Sequence, residues 1–151
     1  MPGNNIIFKE KKATEGEILD HLRACNAQFV PALDSRVNIE EYAKKLFEKA
    51  ITFEAWNGTI LAGLVATYFT DTSNGIAFVS DVSLLKEYQG QGIATILLNQ
   101  CVDHARKNQF SEIRLEAGKN NTQAIALYTK LDFEEYGMQE DQLQLVLKLN
   151  Q

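Results

Sequence analysis

The segment Gln89-Gly90-Gln91-Gly92-Ile93-Ala94 places two glycines one residue apart, immediately before an apolar run with helical spacing. Glycines at such a point let a backbone come close to another group, and that group is often a phosphate. Four N–H groups at a helix start have no internal partner, and the helix dipole adds about half a positive charge there. With no Cβ atoms in the way, those N–H groups can converge on a diphosphate. Taken alone, the loop fits a tight strand-to-helix turn as well as a phosphate cradle. Two better-known phosphate motifs are excluded. A dinucleotide fingerprint needs a third glycine where this chain has Thr95, and Gly118-Lys119 is followed by Asn120 and lacks the earlier glycine of a P-loop.

Other reactive residue types offer less. Cys25 and Cys101 lie far apart with no metal-type spacing. They read as small buried apolar residues in a reducing cytosol, in no nucleophile setting. His21 and His104 fall in different helical patterns and suggest solvated or capping roles, so no metal is expected. The net charge of −5 argues against non-specific nucleic-acid binding. No run approaches the roughly 18 apolar residues of a membrane span, and the N-terminus lacks the apolar stretch of a secretory signal. A cytoplasmic protein with neither nucleic-acid nor membrane partners is expected, and the sequons at Asn57 and Asn120 are discounted accordingly.

The chain has 151 residues, 45% of them hydrophobic, and no repeat, linker or low-complexity tract, so one domain over residues 1–151 is expected. Ile6 to Glu10 reads as a strand. Ile18, Leu19, Leu22 and Cys25 recur at helical spacing between Glu15 and Ala27. Phe29 to Asn38 is a loop. A second helix runs from Ile39 to about Lys49, with Tyr42, Ala43, Leu46 and Phe47 inward. Two apolar runs flank Asn57-Gly58, a hairpin signal, and Ile76 to Leu85 adds a third antiparallel strand. A helix over Ile93 to Asn108 turns Ile96, Leu97, Cys101 and Ala105 inward. "SEIRLEA" reads as a strand, Thr122 to Leu131 as a helix, and "FEEYG" and "LQLVLKL" as closing strands. The order β-α-α-β-β-β-α-β-α-β-β implies an α/β fold, a mixed six- to seven-stranded sheet with helices on both faces.

Two blocks now carry a resemblance. Gln89-x-x-Gly92-x-Ala94, preceded by Tyr88 and the strand Val82 to Leu84, resembles the Arg/Gln-x-x-Gly-x-Gly/Ala signature of the GNAT acyltransferase superfamily. Downstream, Asn121-x-x-Ala124-x-x-Leu127-Tyr128-x-x-Leu131-Asp132-Phe133 is similar to that family's Asn-x-x-Ala-x-x-Leu-Tyr-x-x-x-Gly-Phe. The element order fits the family fold over nearly the full chain. Three positions depart from the pattern: Gln89 stands for the commoner arginine, Lys86 for proline, and Asp132 for the glycine before Phe133, where some strain is expected.

The resemblance implies a splay between the fourth and fifth strands that admits coenzyme A. Val82, Ser83 and Leu84 would pair with its pantetheine arm, and N–H groups of Gln89, Gly90, Gln91, Gly92, Ile93, Ala94 and Thr95 would hold its pyrophosphate. Asn121 would touch the pantetheine side. It further implies direct attack of an amine on the acetyl thioester of acetyl-CoA. Tyr128 is the implied acid. A phenol of pKa about 10 protonating a thiolate of about 8.5 is uphill by ~2 kcal/mol, so its expected role is to hydrogen-bond the thiolate. An alkyl amine of pKa near 10 is only ~0.1% neutral at pH 7, so a base is needed. Many relatives carry glutamate at the position of Ser80; here Asp81 and Glu116 are the nearest carboxylates, and a base acting through water fits equally well. Alternation puts Asp81 with Val79 and Ser83, opposite Ser80, Val82 and Leu84. Phe29, Asp34 and Arg36 lie where relatives bind the acceptor. The expected activity is N-acetylation of a small amine: an amino sugar, polyamine, amino acid or drug. A protein N-terminal or lysine acetyltransferase, or a coenzyme-A-binding module without catalysis, is the alternative, and a homodimer is a possible assembly.

Overall fold

Residues 5–149 are described by a computed structural model. The expected termini of a 1–151 unit therefore extend slightly outside the described residues. Two helices come first. α1 (Glu15–Cys25) starts on a capping box in which Thr14 accepts from Glu17 N–H and Glu17 accepts from Thr14 N–H. α2 (Ile39–Lys49) starts on Asn38, whose side chain accepts from Glu41 N–H, and ends where Lys11 Nζ donates to the carbonyls of Phe47 and Ala50.

Seven strands form one sheet in the order β1-β2-β3-β4-β5-β7-β6. They are β1 (Ile6–Glu10), β2 (Ile51–Asn57), β3 (Ile60–Asp71), β4 (Ile76–Leu84), β5 (Glu112–Gly118), β6 (Glu134–Gln139) and β7 (Gln142–Lys148). Every neighbouring pair is antiparallel except β4 and β5, which run parallel across the connection through α3 (Ile93–Lys107). α4 (Thr122–Lys130) joins β5 to β6. The hairpin at Asn57-Gly58 forms, with Gly58 at φ 62°.

Apolar residues divide between two faces. Ile18, Leu22, Ala43 and Leu46 bury against Leu64 and Ala66 on one side of the sheet. Leu97, Leu98, Cys101 and Ala105 bury against Phe53, Val65 and Val79 on the other. Two residues read as inward point out instead: Phe47 and Ile96 are each 41% exposed. At Phe47 the Lys11 ammonium lies over the ring, 5.9 Å from its centroid.

One irregularity decides the site. β3 pairs Ala66 with Asp81 but Thr67 with Val79, so Ser80 is an extra residue in β4. Strict alternation fails across this bulge. Val79 faces the α3 side, while Asp81 and Ser83 turn toward α1 and α2 and leave Val82 and Leu84 packed on the α3 side. Tyr42 of α2 anchors the bulge, its hydroxyl lying 3.0 Å from the Ser80 carbonyl oxygen and 2.7 Å from Ser80 Oγ.

Candidate active site

β4 and β5 pair only over Ile76–Glu112, Ala77–Ile113 and Phe78–Arg114, while β5 stays paired to β7 as far as Gly118. Past Phe78 the two strands part, and a cleft of about 590 Å³ opens between them. That volume suits a small-molecule site. Of the residues singled out in the sequence, Asp81, Val82, Ser83, Leu84, Gln89, Gly90, Gly92, Ile93, Ala94, Thr95, Glu116, Asn121 and Tyr128 all line it. Gln91 does not; its side-chain amide donates to the Glu87 carbonyl. The α1–α2 segment contributes Phe29, Val30, Leu33, Arg36 and Val37 to the same cleft, whereas Asp34 stays off it and donates its N–H to Asn26.

α3 begins differently from its neighbours. α1, α2 and α4 start on the side chains of Thr14, Asn38 and Asn121, but Gly92 gives α3 no side-chain cap. The first intrahelical bond runs from Ile96 N–H to the Gly92 carbonyl, so the N–H groups of Ile93, Ala94 and Thr95 precede it at the cleft wall. Gly90 and Gly92 sit at φ 79° and 81°, and a Cβ on either would meet no protein atom within 4 Å. Backbone conformation therefore favours glycine here, and the space where a Cβ would stand is open. Gln89 is fixed by its amide donating to Gln28 and to the Leu84 carbonyl. Asn57 donates to the buried Tyr88 hydroxyl at 2.7 Å, which ties the turn to the β2–β3 hairpin.

At the other end Tyr128 is buried, 6% exposed. Burial raises its pKa above the ordinary phenol value and the Asp81 charge raises it further, so the hydroxyl stays protonated and can donate. Asn121 spends its side-chain oxygen on the N–H of Ala124. Asp81, 3% exposed, is pushed up to about 6 by burial, offset in part by the Ser83 hydroxyl and the Arg36 guanidinium. Ser83 donates to Asp81 Oδ2 at 2.7 Å, and Asp81 Oδ1 is buried with no partner among the described residues. Glu116 is exposed on the β5 wall.

Two reactive side chains contradict or extend the sequence reading. His21 is neither solvated nor capping. It is 3% exposed, with Nδ1 2.8 Å from the Leu61 carbonyl oxygen and Nε2 2.9 Å from Ser83 Oγ. Its place beside Ile18, Leu22 and Cys25 on the apolar stripe of α1 is the signal that marks it as buried. Cys25 lines the cleft, but burial and the Asp81 charge push its thiol up to about 12, so it is no nucleophile. Among the described residues no group of three or more His, Cys, Asp or Glu side chains comes together, and no helix is long and apolar enough to cross a membrane.

Residues 16–133 match the acetyltransferase (GNAT) family, and the chain belongs to that family. Over 60 residues it is 33% identical to streptothricin acetyltransferase A of Bacillus subtilis, covering 40% of this chain and 35% of that protein. Over 59 residues it is 36% identical to N-alpha-acetyltransferase 30 of Schizosaccharomyces pombe, covering 39% of each. These matches span little more than a third of the curated relatives' length. In three dimensions it resembles the PaiA N-acetyltransferase of Thermoplasma acidophilum in complex with coenzyme A, with a TM-score of 0.76, 15% identity and coverage of 95% of this chain and 99% of that one. That likeness establishes the shared fold.

Proposed function

We propose that this chain, as one domain over residues 1–151, transfers the acetyl group of acetyl-CoA to the primary amine of a small molecule. The observation that carries the reading is the cleft where β4 and β5 part. One cavity brings the uncapped start of α3 together with Tyr128 and Asp81. The substrate's pyrophosphate belongs at the N–H groups of Gln89 to Thr95, where the dipole favours negative charge. Its pantetheine arm belongs along Val82, Ser83 and Leu84, whose outer edge has no strand partner in the β4–β5 pairing, with the amide of Asn121 beside it. The fit is supported by the open space beside Gly90 and Gly92.

Asp81 takes a proton from the acceptor ammonium. The freed nitrogen pair attacks the thioester carbonyl carbon and the C–S bond breaks; the nitrogen's second proton passes to the departing sulfur, leaving an amide and a free thiol, while the Tyr128 hydroxyl hydrogen-bonds the sulfur as its charge develops. A carboxyl held near 6 is suited to a base at neutral pH. Glu116, exposed on the facing wall, favours a cationic acceptor electrostatically. The wall formed by Phe29, Val30, Leu33, Arg36 and Val37 supports a small acceptor over an extended polypeptide. Its relatives include a streptothricin acetyltransferase and an N-alpha-acetyltransferase, so an N-terminal peptide is the alternative acceptor. Thiol release from acetyl-CoA, followed over amino sugars, polyamines, amino acids and short N-terminal peptides, tests the reading. Turnover with one of the small amines supports it, turnover with peptides alone selects the alternative, and no thiol release with any amine contradicts it.

A further inference from the structure

Behind Asp81 a buried chain of hydrogen bonds runs to the main chain of β3. Ser83 Oγ lies 2.7 Å from Asp81 Oδ2 and 2.9 Å from His21 Nε2, and His21 Nδ1 lies 2.8 Å from the Leu61 carbonyl oxygen. A carbonyl only accepts, so Nδ1 carries a hydrogen, and in the neutral imidazole Nε2 is then an acceptor. When Asp81 is ionised, the single hydroxyl hydrogen of Ser83 faces two acceptors and satisfies one, leaving His21 Nε2 only the weak thiol donor of Cys25 at 3.7 Å. A single added proton resolves the conflict. The Asp81 carboxyl then donates to Ser83 Oγ, and Ser83 turns its O–H to His21 Nε2.

We infer that Ser83 and His21 are positioning residues that make Asp81 a store for the first proton the acceptor ammonium gives up, the second leaving with the thiol. The inference rests on the reading of Asp81 as the base. An N–H bond of the ammonium breaks, its proton forms an O–H bond on the Asp81 carboxylate, and the nitrogen keeps the electron pair that attacks carbon. Asp81 Oδ1 has no partner to hold it, so a half-turn about Cβ–Cγ carries the new O–H to Ser83. After product leaves, the carboxyl releases the proton to solvent and Ser83 turns back.

Other titratable and charged groups around Asp81 come from every side: Cys25 from α1, Arg36 from the α1–α2 segment, Tyr42 from α2, Tyr68 from β3 and Tyr128 from α4. The thiol and the three phenols are all shifted upward and stay protonated at neutral pH. That leaves Asp81 and His21 to exchange a proton near neutrality. Burial disfavours the charged form of both, lowering the histidine and raising the aspartate, and only Asp81 lines the cleft where the acceptor arrives, so the proton is placed on the carboxyl.

The test is a carbon-13 NMR titration of the Asp81 carboxyl in the full chain, assigned with Asp81→Asn, and it needs no acceptor. Its midpoint should lie about one pH unit lower in His21→Leu, where Ser83 serves the carboxylate alone. His21→Gln should restore it, because the amide oxygen accepts from Ser83 and the amide nitrogen donates to Leu61. An unmoved midpoint in His21→Leu overturns the inference. Should that variant not fold, nitrogen-15 NMR of the unmodified protein decides. His21 must stay the neutral Nδ1–H tautomer while its Nε2 signal moves with the Asp81 midpoint; a silent Nε2 signal overturns the inference. Separately, Asp81→Asn with full turnover removes the base reading itself. Loss of turnover in Asp81→Asn with an unmoved midpoint in His21→Leu removes the relay alone.

Discussion

Phe133 stands edge-on to Tyr128, ring centroids 6.0 Å apart and planes at 60°, and its N–H donates to the Tyr128 carbonyl at 3.0 Å. Together with the bond from Asp132 N–H to Thr129, this is a Schellman ending to α4, including its apolar contact across the turn. The motif that stops the helix therefore also fixes the ring proposed to meet the thiolate.

Asp132 occupies the left-handed position of that ending, at φ 74°, where glycine is preferred. The strain expected from the sequence thus falls on a residue that L side chains adopt reluctantly. Asp132→Gly should stabilise the fold by roughly 0.5 kcal/mol, the strain relief exceeding the added chain entropy. Thermal unfolding should show a midpoint higher by about 1–2 °C. A lower midpoint would mean the aspartate side chain contributes more than its backbone costs.

Removing the Tyr128 hydroxyl should leave the cofactor cleft intact. Tyr128→Phe is expected to lose turnover by ~10² or more while the Kd for acetyl-CoA stays within about twofold. Equal turnover in both proteins would leave Tyr128 as a packing residue.

Activity should fall on the acid side of neutrality. With Asp81 held near 6, kcat/KM should drop tenfold per unit below that pH as the carboxyl takes up a proton. A limb well below 6 would mean that Asp81 is not the group whose ionisation controls turnover.

The same shift carries a stability cost whose sign is opposite to that of a salt-bridged acid. Asp81 has its folded pKa raised above the ordinary value of about 4, so its protonated form favours the fold and that contribution is lost as pH rises from about 4 through 6. At pH 7.5 Asp81→Asn should therefore be more stable than the natural chain by about 2–3 kcal/mol, with the difference vanishing below about pH 4. Denaturant unfolding at the two pH values measures it. A variant no more stable at pH 7.5 would show that the buried carboxylate is better solvated than its surroundings suggest.

Element order and the helix starts were legible because their signals are local. The Asn57-Gly58 turn, the apolar spacing of α2 and the glycines before α3 each act within a few residues. What the sequence hid is tertiary. The extra residue at Ser80 shows only when β4 is laid against β3, and it alone separates Asp81 from Val79. Glu54 looks anomalous inside an apolar strand, yet it is fully buried and accepts from Lys12 and Ala13 N–H, the Thr52 hydroxyl and Trp56 Nε1. Thr52 and Trp56 are its i±2 neighbours in β2, but Lys12 and Ala13 come from the segment after β1, so the strand alone does not announce that the carboxylate is satisfied. A solvated or capping role for His21 overlooks its spacing from Ile18, Leu22 and Cys25, which places it on the buried stripe.

Isothermal titration with acetyl-CoA tests the central claim most directly, with Gly92→Glu as the comparison. A glutamate there forces a side chain onto a φ of 81° and sets a negative charge beside the first-turn N–H groups. Micromolar binding to the natural chain, weakened at least tenfold in Gly92→Glu, is the predicted result. No binding by the natural chain, or equal binding by both, would contradict a pyrophosphate seat at the start of α3.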